Sequence, residues 1–511
     1  MTSQQRIIVN TAAQYTRTII NVCLSLYSTR LILAALGQSD YGIYSVVAGV
    51  VSMLSFATHA LVVTTQRFLS FNHGAGNKEK VYQIFGNSVL LHLLIAGALL
   101  IVFGSLTYPI IHHVLHIDPE RLTAATYVYG AAVLMLCLTF ITAPFRALFI
   151  ARENIVFTSI IDVADGILRV LIAVFLTYVA HHDRLITYAF LLIGISVFNL
   201  IAFAGYSLFH FEECHIPHLR EWNKEYIRNL SGFASWTIYS TGCIIARTQG
   251  IAILLNRIFG SVINAAYGIA LHVSGAIHFL AQALTNAMSP QIVKAEGAGN
   301  RQHMLSLAAI ASKNAYLLLS MVSIPLITEM PAILQVWLGE VPEHAVMFCR
   351  FVLAASCIDQ MTIGLGTANQ AVGQIRNYSL FVNTIKVLTL PAAWLFLHFG
   401  YPVEAVMWCY IGFEFCCMLA RIPFLRKTAG LDVGMYIRTV FLPVILPTIA
   451  CLATCYTMTV YFHFQFRFIV TLALTALVDV IIIVLFTLSK SEKAMLMNII
   501  QTKLLHKNNT I

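Results

Sequence analysis

The chain has 511 residues, of which 59% are hydrophobic and only 10% are Asp, Glu, Lys or Arg, where a soluble protein carries about 25% charged residues. A soluble core stops growing near ~250–300 residues, so an apolar excess of this size, with a mean hydropathy of +0.80, is accommodated by lipid, at ~20 residues per crossing. The expected class is an all-α polytopic membrane protein, which excludes a large soluble catalytic domain and, because the basic residues behind the +9 net charge lie between apolar stretches, nucleic acid as a partner.

The start, MTSQQR before IIVNTAAQYTRTII, is broken by Asn10, Gln14 and Arg17 and shows no cleavage site, so a retained first helix is expected. Hydrophobic windows place helices at roughly 5–36, 41–70, 80–109, 122–150, 155–180 and 185–210. The charged segment Phe211–Asn229, with Pro217, interrupts them and reads as an amphipathic surface linker. A second set follows at roughly 230–258, 264–291, 304–328, 344–371, 377–399 and 401–424, with the longest outer loop near 329–343. Two more helices, near 436–461 and 467–488, precede a basic tail from Lys490. The expectation is about fourteen spans at roughly 36 residues per helix and loop. They form a lobe over 1–210, a linker over 211–229, a second lobe over 230–430, two added helices over 431–488 and a tail over 489–511.

Basic residues fall on alternate loops. With the N-terminus inside, one side carries Lys78, Lys80, Arg146, Arg152, Arg220, Lys224, Arg228, Lys294, Arg301, Arg376, Arg421, Arg426, Lys427 and the tail. The other carries Arg121, Arg184, Arg257 and Arg467, a tally of roughly twenty against four that expects both termini in the cytoplasm. The eleven cysteines include no C-x-x-C and one vicinal pair, Cys416–Cys417, consistent with reduced thiols buried in helices.

An internal repeat organises the chain. Gly37 before Tyr41-Gly42-Ile43-Tyr44 corresponds to Gly260 before Tyr267-Gly268-Ile269, and Gly74-Ala75-Gly76-Asn77 recurs as Gly297-Ala298-Gly299-Asn300. Glu153, Phe157, Thr158 and Asp165 are matched in turn by Gln374, Tyr378, Ser379 and Lys386. Two six-helix units of even count are parallel repeats, related by an axis along the membrane normal. The Gly-Ala-Gly-Asn element reads as a tight turn, since it lacks the pattern of a phosphate loop.

Charge inside a bilayer costs about 2.5–3.5 kcal/mol even on the lenient insertion scale, so such residues face a partner or a cavity. On the first helix Asn10, Gln14, Arg17, Asn21, Ser25 and Ser28 share one face, and Arg30 lies nearer its outer end. This stripe either lines a wet cavity or packs inward against neighbouring helices. On the fifth helix Asp165 and Arg169 form an i, i+4 pair, which leaves Asp162 as an unpaired acid. The second half holds Arg247, Lys313, Arg350, Asp359, Lys386, Glu404 and Glu414. His112, His113 and His116, and His181 with His182, fall in outer loops without a convincing third metal ligand. No arrangement of nucleophile and base is recognisable, so a non-enzyme is expected.

The run Arg30 to Tyr44, with LGQSDYGIYSVVAGV following a polar first helix, together with two six-helix halves and two trailing helices, resembles the MOP exporter superfamily. Within it the chain is most similar, over roughly residues 1–430, to the Wzx-type O-antigen polysaccharide flippases. The resemblance implies an inner-membrane transporter for surface polysaccharide and lipopolysaccharide assembly, which moves undecaprenyl-diphosphate-linked oligosaccharide to the periplasmic leaflet by alternating access. It implies contact with membrane lipids and with polysaccharide polymerase machinery.

For such a substrate, cations hold the diphosphate and a hydrated groove avoids desolvating the sugar. Arg17 and Arg247, with Asn10, Gln14, Asn21 and Arg30, are therefore the expected substrate-binding residues. Asp162 and Asp165 are the expected coupling-ion residues, for H+ or Na+, with no other cofactor. A lipid II flippase, a multidrug exporter of the same superfamily and a membrane-embedded glycan polymerase are the rival readings. The first lacks its arginine-rich signature here, the second has twelve helices, and the third needs a larger outer loop.

Overall fold

The computed structural model describes residues 3–52, 55–114, 119–178, 183–218, 221–338, 340–462, 464 and 466–487. His116, His181, His182 and the tail from Lys490 lie outside them. Among the described residues regular structure is helical and no strand occurs, as expected where lipid offers no partner to backbone N–H and C=O groups. The chain is a multi-pass integral membrane protein.

The first helices are α1 (Ser3–Ser52), α2 (Ser55–Gly74), α3 (Lys78–Ser105), α4 (Leu122–Ala151), α5 (Ile155–Tyr178) and α6 (Arg184–His210). They are followed by α7 (Lys224–Phe259), α8 (Ser261–Gly297) and α9 (Arg301–Leu338). Next come α10 (Ala345–Gln360), α11 (Ile363–Val372), α12 (Ile375–His398), α13 (Glu404–Ala429), α14 (Val433–Tyr461) and α15 (Arg467–Thr487).

Eleven of the described helices are long and apolar enough to cross a membrane, or twelve if α10 and α11, bent by 44°, are one span. The expectation of fourteen is not met on that criterion. Two helices fall short for different reasons: α2 is polar, carrying His59, Gln66, Arg67, Asn72 and His73, while α5 is apolar overall but carries the three charges of Asp162, Asp165 and Arg169.

Some boundaries also move. Helix α1 continues past the expected break at 36 and bends at Gly37, whose φ of 77° and ψ of 172° leave the helical region. The expected outer loop at 329–343 is helical through Leu338, because Glu329 is buried against Arg467 and needs no loop to reach water.

Helical packing separates the chain into two compact units. The first comprises Met1–Gly242 with Asn286–Met304 and Gln370–Ser379; the second comprises Cys243–Thr285, Leu305–Asn369 and Leu380–Ile511.

In the first unit α1 packs on α5, while α4 packs on α2, α3 and α6. Its core is built of small and aromatic residues, including Ala125, Val128, Tyr129, Ala132 and Phe140. The outward faces carry Ile101, Tyr178 and Phe209, the exposed apolar surface a lipid solvent requires.

The repeat is visible in backbone geometry within this unit. Helix α2 ends with Gly76 at φ 70° and α8 with Gly299 at φ 74°. Ala75 N–H donates to Phe71 O, Gly76 N–H to His73 O and Asn77 N–H to Asn72 O. The equivalents run from Ala298 to Lys294, Gly299 to Glu296 and Asn300 to Ala295. Each Asn then caps the following helix, Asn77 Oδ1 accepting from Lys80 N at 3.0 Å and Asn300 Oδ1 from His303 N at 3.1 Å. The second match shifts by one residue: the left-handed Glu153 (φ 60°) corresponds to Gly373 (φ 89°), the residue before Gln374.

The linker segment alternates exposed residues, such as Glu212 and Ile216, with buried ones. Residues 211–218 are non-helical and packed, with Glu213 and Cys214 buried and the His215 ring stacked on Tyr82 at 3.7 Å. Glu213 accepts from Arg152 Nε at 2.6 Å and lies 3.2 Å from His73 Nε2. Burial pushes its carboxyl upward, but His73 and Arg152 outweigh that and hold it at about 2. Glu213 is thus paired with His73 of α2 and with Arg152 just after α4, Glu221 with His215 inside the segment, and the exposed Glu212 with Lys78 of α3.

In the second unit α10 packs on α13, α12 on α13, and α14 on α15. Tyr267, Phe348, Val352, Met407 and Val444 lie in its core.

Candidate functional site

In the first unit α1, α4 and α5 border an open cavity of about 490 Å3, lined by Arg17, Thr18, Asn21, Val22, Ser25, Arg146 and Asp162. Arg17 Nη1 donates to Asp162 Oδ2 at 2.6 Å, and Arg146 Nη2 donates to the same oxygen at 2.7 Å. Two guanidinium groups therefore share one carboxylate. The surplus positive charge, with the Thr18, Asn21 and Ser25 side chains beside it, suits an anionic, hydroxyl-bearing ligand. Neutralising Asp162 or removing one Arg changes the cavity's charge by one unit without emptying it.

The first-helix stripe divides. Arg17, Asn21 and Ser25 line the cavity. Asn10 and Gln14 are buried outside its lining, and Asn10 Nδ2 donates to Glu153 O at 2.9 Å. Ser28 is buried with its hydroxyl on Ser25 O, and Arg30 is exposed. Depth along α1 bears on this: two turns before Arg17, Asn10 meets the turn between α4 and α5 through Glu153 O.

Neither acid of α5 stands alone, so the expectation of an unpaired Asp162 is corrected. Its partners lie 145 and 16 residues away in sequence, where helical spacing does not reach. Asp165 accepts from Arg169 Nε at 2.6 Å, the i, i+4 pair, and also from Asn199 Nδ2 at 2.7 Å.

A second polar centre in the first unit surrounds Glu153, a non-glycine residue in the left-handed region. Its carboxylate accepts from Lys294 Nζ at 2.6 Å and from Gln291 Nε2 at 3.3 Å. Arg67 closes a neighbouring turn, donating to Gln370 O at 2.9 Å and Ala371 O at 3.0 Å. Those last carbonyls of α11 attract a cation through the helix dipole.

Arg247 is in the second unit. It is buried, pairs with Glu414 and sits 4.3 Å over the Tyr410 ring. Lys386 Nζ also lies 2.7 Å from Glu414 Oε1 as an ion pair; Lys386 reaches Asp359 at 3.0 Å, and Arg421 reaches Asp359 at 2.8 Å. Arg421 also donates to Thr362 Oγ1 at 3.1 Å. Three cations surround two carboxylates in a largely buried site, a network held by pairing and hydrogen bonding.

Two residues of this chemistry were hidden among the topology signals. Arg146 and Arg421, counted with the loop cations, lie within α4 and α13 and engage acids. Their position inside apolar stretches is the available signal, since loop cations belong beyond the hydrophobic window. Among the described residues no His, Cys, Asp or Glu group is arranged to hold a metal ion. His112 is exposed on the short helical segment after α3.

No family model matches the sequence. A curated relative, the uncharacterized membrane protein EpsK of Bacillus subtilis (strain 168), is 23% identical over 344 residues, and the match spans 65% of each chain, just under two thirds of that relative. Among solved structures, an outward-facing multidrug resistance MATE family transporter of the MOP superfamily superposes with a TM-score of 0.70 at 12% identity, over 84% of this chain and 96% of that one. A MOP superfamily transporter from Pyrococcus furiosus, for which reversed polarity of the binding pocket suggests a different function, gives 0.69 at 12% identity, with coverage of 84% and 96%. The fold is therefore that of the MATE-type transporters of this superfamily.

Proposed function

We propose that the chain is a membrane transporter that carries a lipid-linked, diphosphate-bearing oligosaccharide across the bilayer by alternating access. The observation that carries this reading is the cavity in which Arg17 and Arg146 share the single carboxylate of Asp162. The surplus guanidinium charge complements a diphosphate, and Asn21, Thr18 and Ser25 complement sugar hydroxyls. The transporter fold and its parallel repeats support movement between two access states, while the fold alone leaves the cargo to the site. The proposed setting is a bacterial inner membrane with both termini cytoplasmic, acting on undecaprenyl-diphosphate-linked units beside the polymerase machinery.

The experiment locates lipid-linked oligosaccharide in cells lacking the protein, using a membrane-impermeant glycan label, with surface polysaccharide scored in parallel. Completed units stranded on the cytoplasmic face support the proposal. Complete but unpolymerised units on the outer face overturn it in favour of a polymerase. Likeness to a multidrug resistance transporter favours drug export as the second reading; unchanged glycan with altered drug sensitivity is its signature.

A further inference from the structure

The acids described so far all have cationic partners; among the described residues Asp479 does not. It lies on α15 with 0% exposure, and its carboxylate is held by no backbone, hydroxyl or amide group among the described residues. The polar group that interacts with it is the thiol of Cys451 on α14. An isolated carboxylate at such a place loses its hydration with nothing in return, whereas the neutral acid loses far less. The site therefore retains a proton or collects a cation.

The surroundings choose between these. Thr471, Thr475 and Asp479 recur every four residues on one buried face of α15. Thr471 Oγ1 donates to Glu329 Oε1 at 3.0 Å, where α9 meets the start of α15 and Arg467 holds Glu329 at 2.9 Å. Thr475 Oγ1 donates to Thr471 O at 2.5 Å and lies 3.7 Å from Cys455 Sγ. The facing groups are thus Cys451 and Cys455 on α14, Tyr316 and Glu329 on α9, and Arg467 on α15 itself, with Tyr316 donating to or accepting from Thr448 at 3.0 Å. Arg467 is engaged with Glu329, twelve residues or about 18 Å along the helix from Asp479. Two thiols and a phenol do not form the oxygen cage that sodium or another hard cation needs. Hydroxyls and thiols that both donate and accept do form a path for a proton.

We infer that Asp479 is a proton-binding site, reached from the Glu329–Arg467 end of α15 through Thr471, Thr475 and the thiols of α14. The trailing helices then carry a titratable function of their own, and the site does not depend on which cargo the protein moves. Uptake leaves a neutral carboxyl within the apolar contacts of α14 and α15; release leaves a charge that this face can hold only by admitting water.

The test is infrared difference spectroscopy of the full-length protein in lipid bilayers, from mildly acidic to mildly alkaline pH. The expected result is a protonated-carboxyl C=O band that disappears as pH rises and is absent from Asp479→Asn. Cys451→Ser, which offers a stronger hydrogen bond, shifts that band to lower frequency while keeping it, and so reports on Asp479 even if the Asn variant fails to fold. A carboxyl that stays protonated throughout overturns the inference and makes Asp479 a structural acid. Absence of any Asp479 band also overturns it, as does a titration that moves when sodium replaces potassium, which points to a metal cation.

Discussion

Gly74 lies so close to Lys294 that a Cβ on the glycine would come within 2.0 Å of the lysine's carbonyl oxygen. Its repeat mate Gly297 repeats the contact against Phe71, the mate of Lys294, at 1.9 Å. The two helix ends cross through a local two-fold relationship, and both glycines are required by close backbone approach.

Because the obstruction is backbone rather than a flexible side chain, Gly74→Ala and Gly297→Ala each force the helix ends apart. Overpacking of this kind costs about 1–3 kcal/mol or more. Each variant is expected to unfold at lower temperature than the parent in detergent, with Gly232→Ala, where a Cβ meets nothing within 4 Å, as the control. An unchanged midpoint for both would remove the crossing from the account.

Arg17→Ala leaves Asp162 paired with Arg146 but removes the surplus cation of the cavity. The protein should remain folded and lose affinity for an anionic ligand. Asp162→Asn moves the charge the other way, so inorganic diphosphate binding, measured by calorimetry, should tighten. The Arg17–Asp162 pair is partly exposed, and its coupling in a double-mutant cycle is expected at about 1 kcal/mol or less. Equal diphosphate affinity in all three proteins would detach the cavity from anion binding.

In the second unit Glu414 serves both Arg247 and Lys386. Glu414→Gln leaves five members with one carboxylate for three cations, a loss expected at about 3–5 kcal/mol. Lys386→Met removes the surplus cation and should be the milder change. Thermal unfolding of the two variants checks the order, and a more stable Gln variant would contradict the charge count.

Glu213 titrates at about 2 rather than its ordinary 4.5 because His73 and Arg152 favour its charged form against burial. A depressed folded-state value means that the stabilisation is complete above about pH 4.5 and is lost as pH falls towards 2. Proteolytic cleavage between Phe211 and Asn223 should therefore rise across that window. Glu213→Gln should raise cleavage at neutral pH and flatten its pH dependence; a flat profile in the parent would show that the strap is held by other contacts.

What was legible in the sequence was local. Composition determines the membrane class because lipid is the only solvent that accepts so much apolar surface. The Gly-Ala-Gly-Asn repeat determines two identical helix junctions because a left-handed glycine and an Asn cap act within one turn. The Asp165–Arg169 pair follows from i, i+4 spacing alone. Tertiary structure decided everything that depends on how helices are rotated against one another: that Asp162 is shared by Arg17 and Arg146, that Arg247 and Arg421 join one buried network, and that Asp479 meets no cation among the described residues. Periodicity tells which residues share a face of one helix, but a charge in the membrane is assigned its role by the group on the facing helix, and the Arg17–Asp162 pair spans 145 residues of chain.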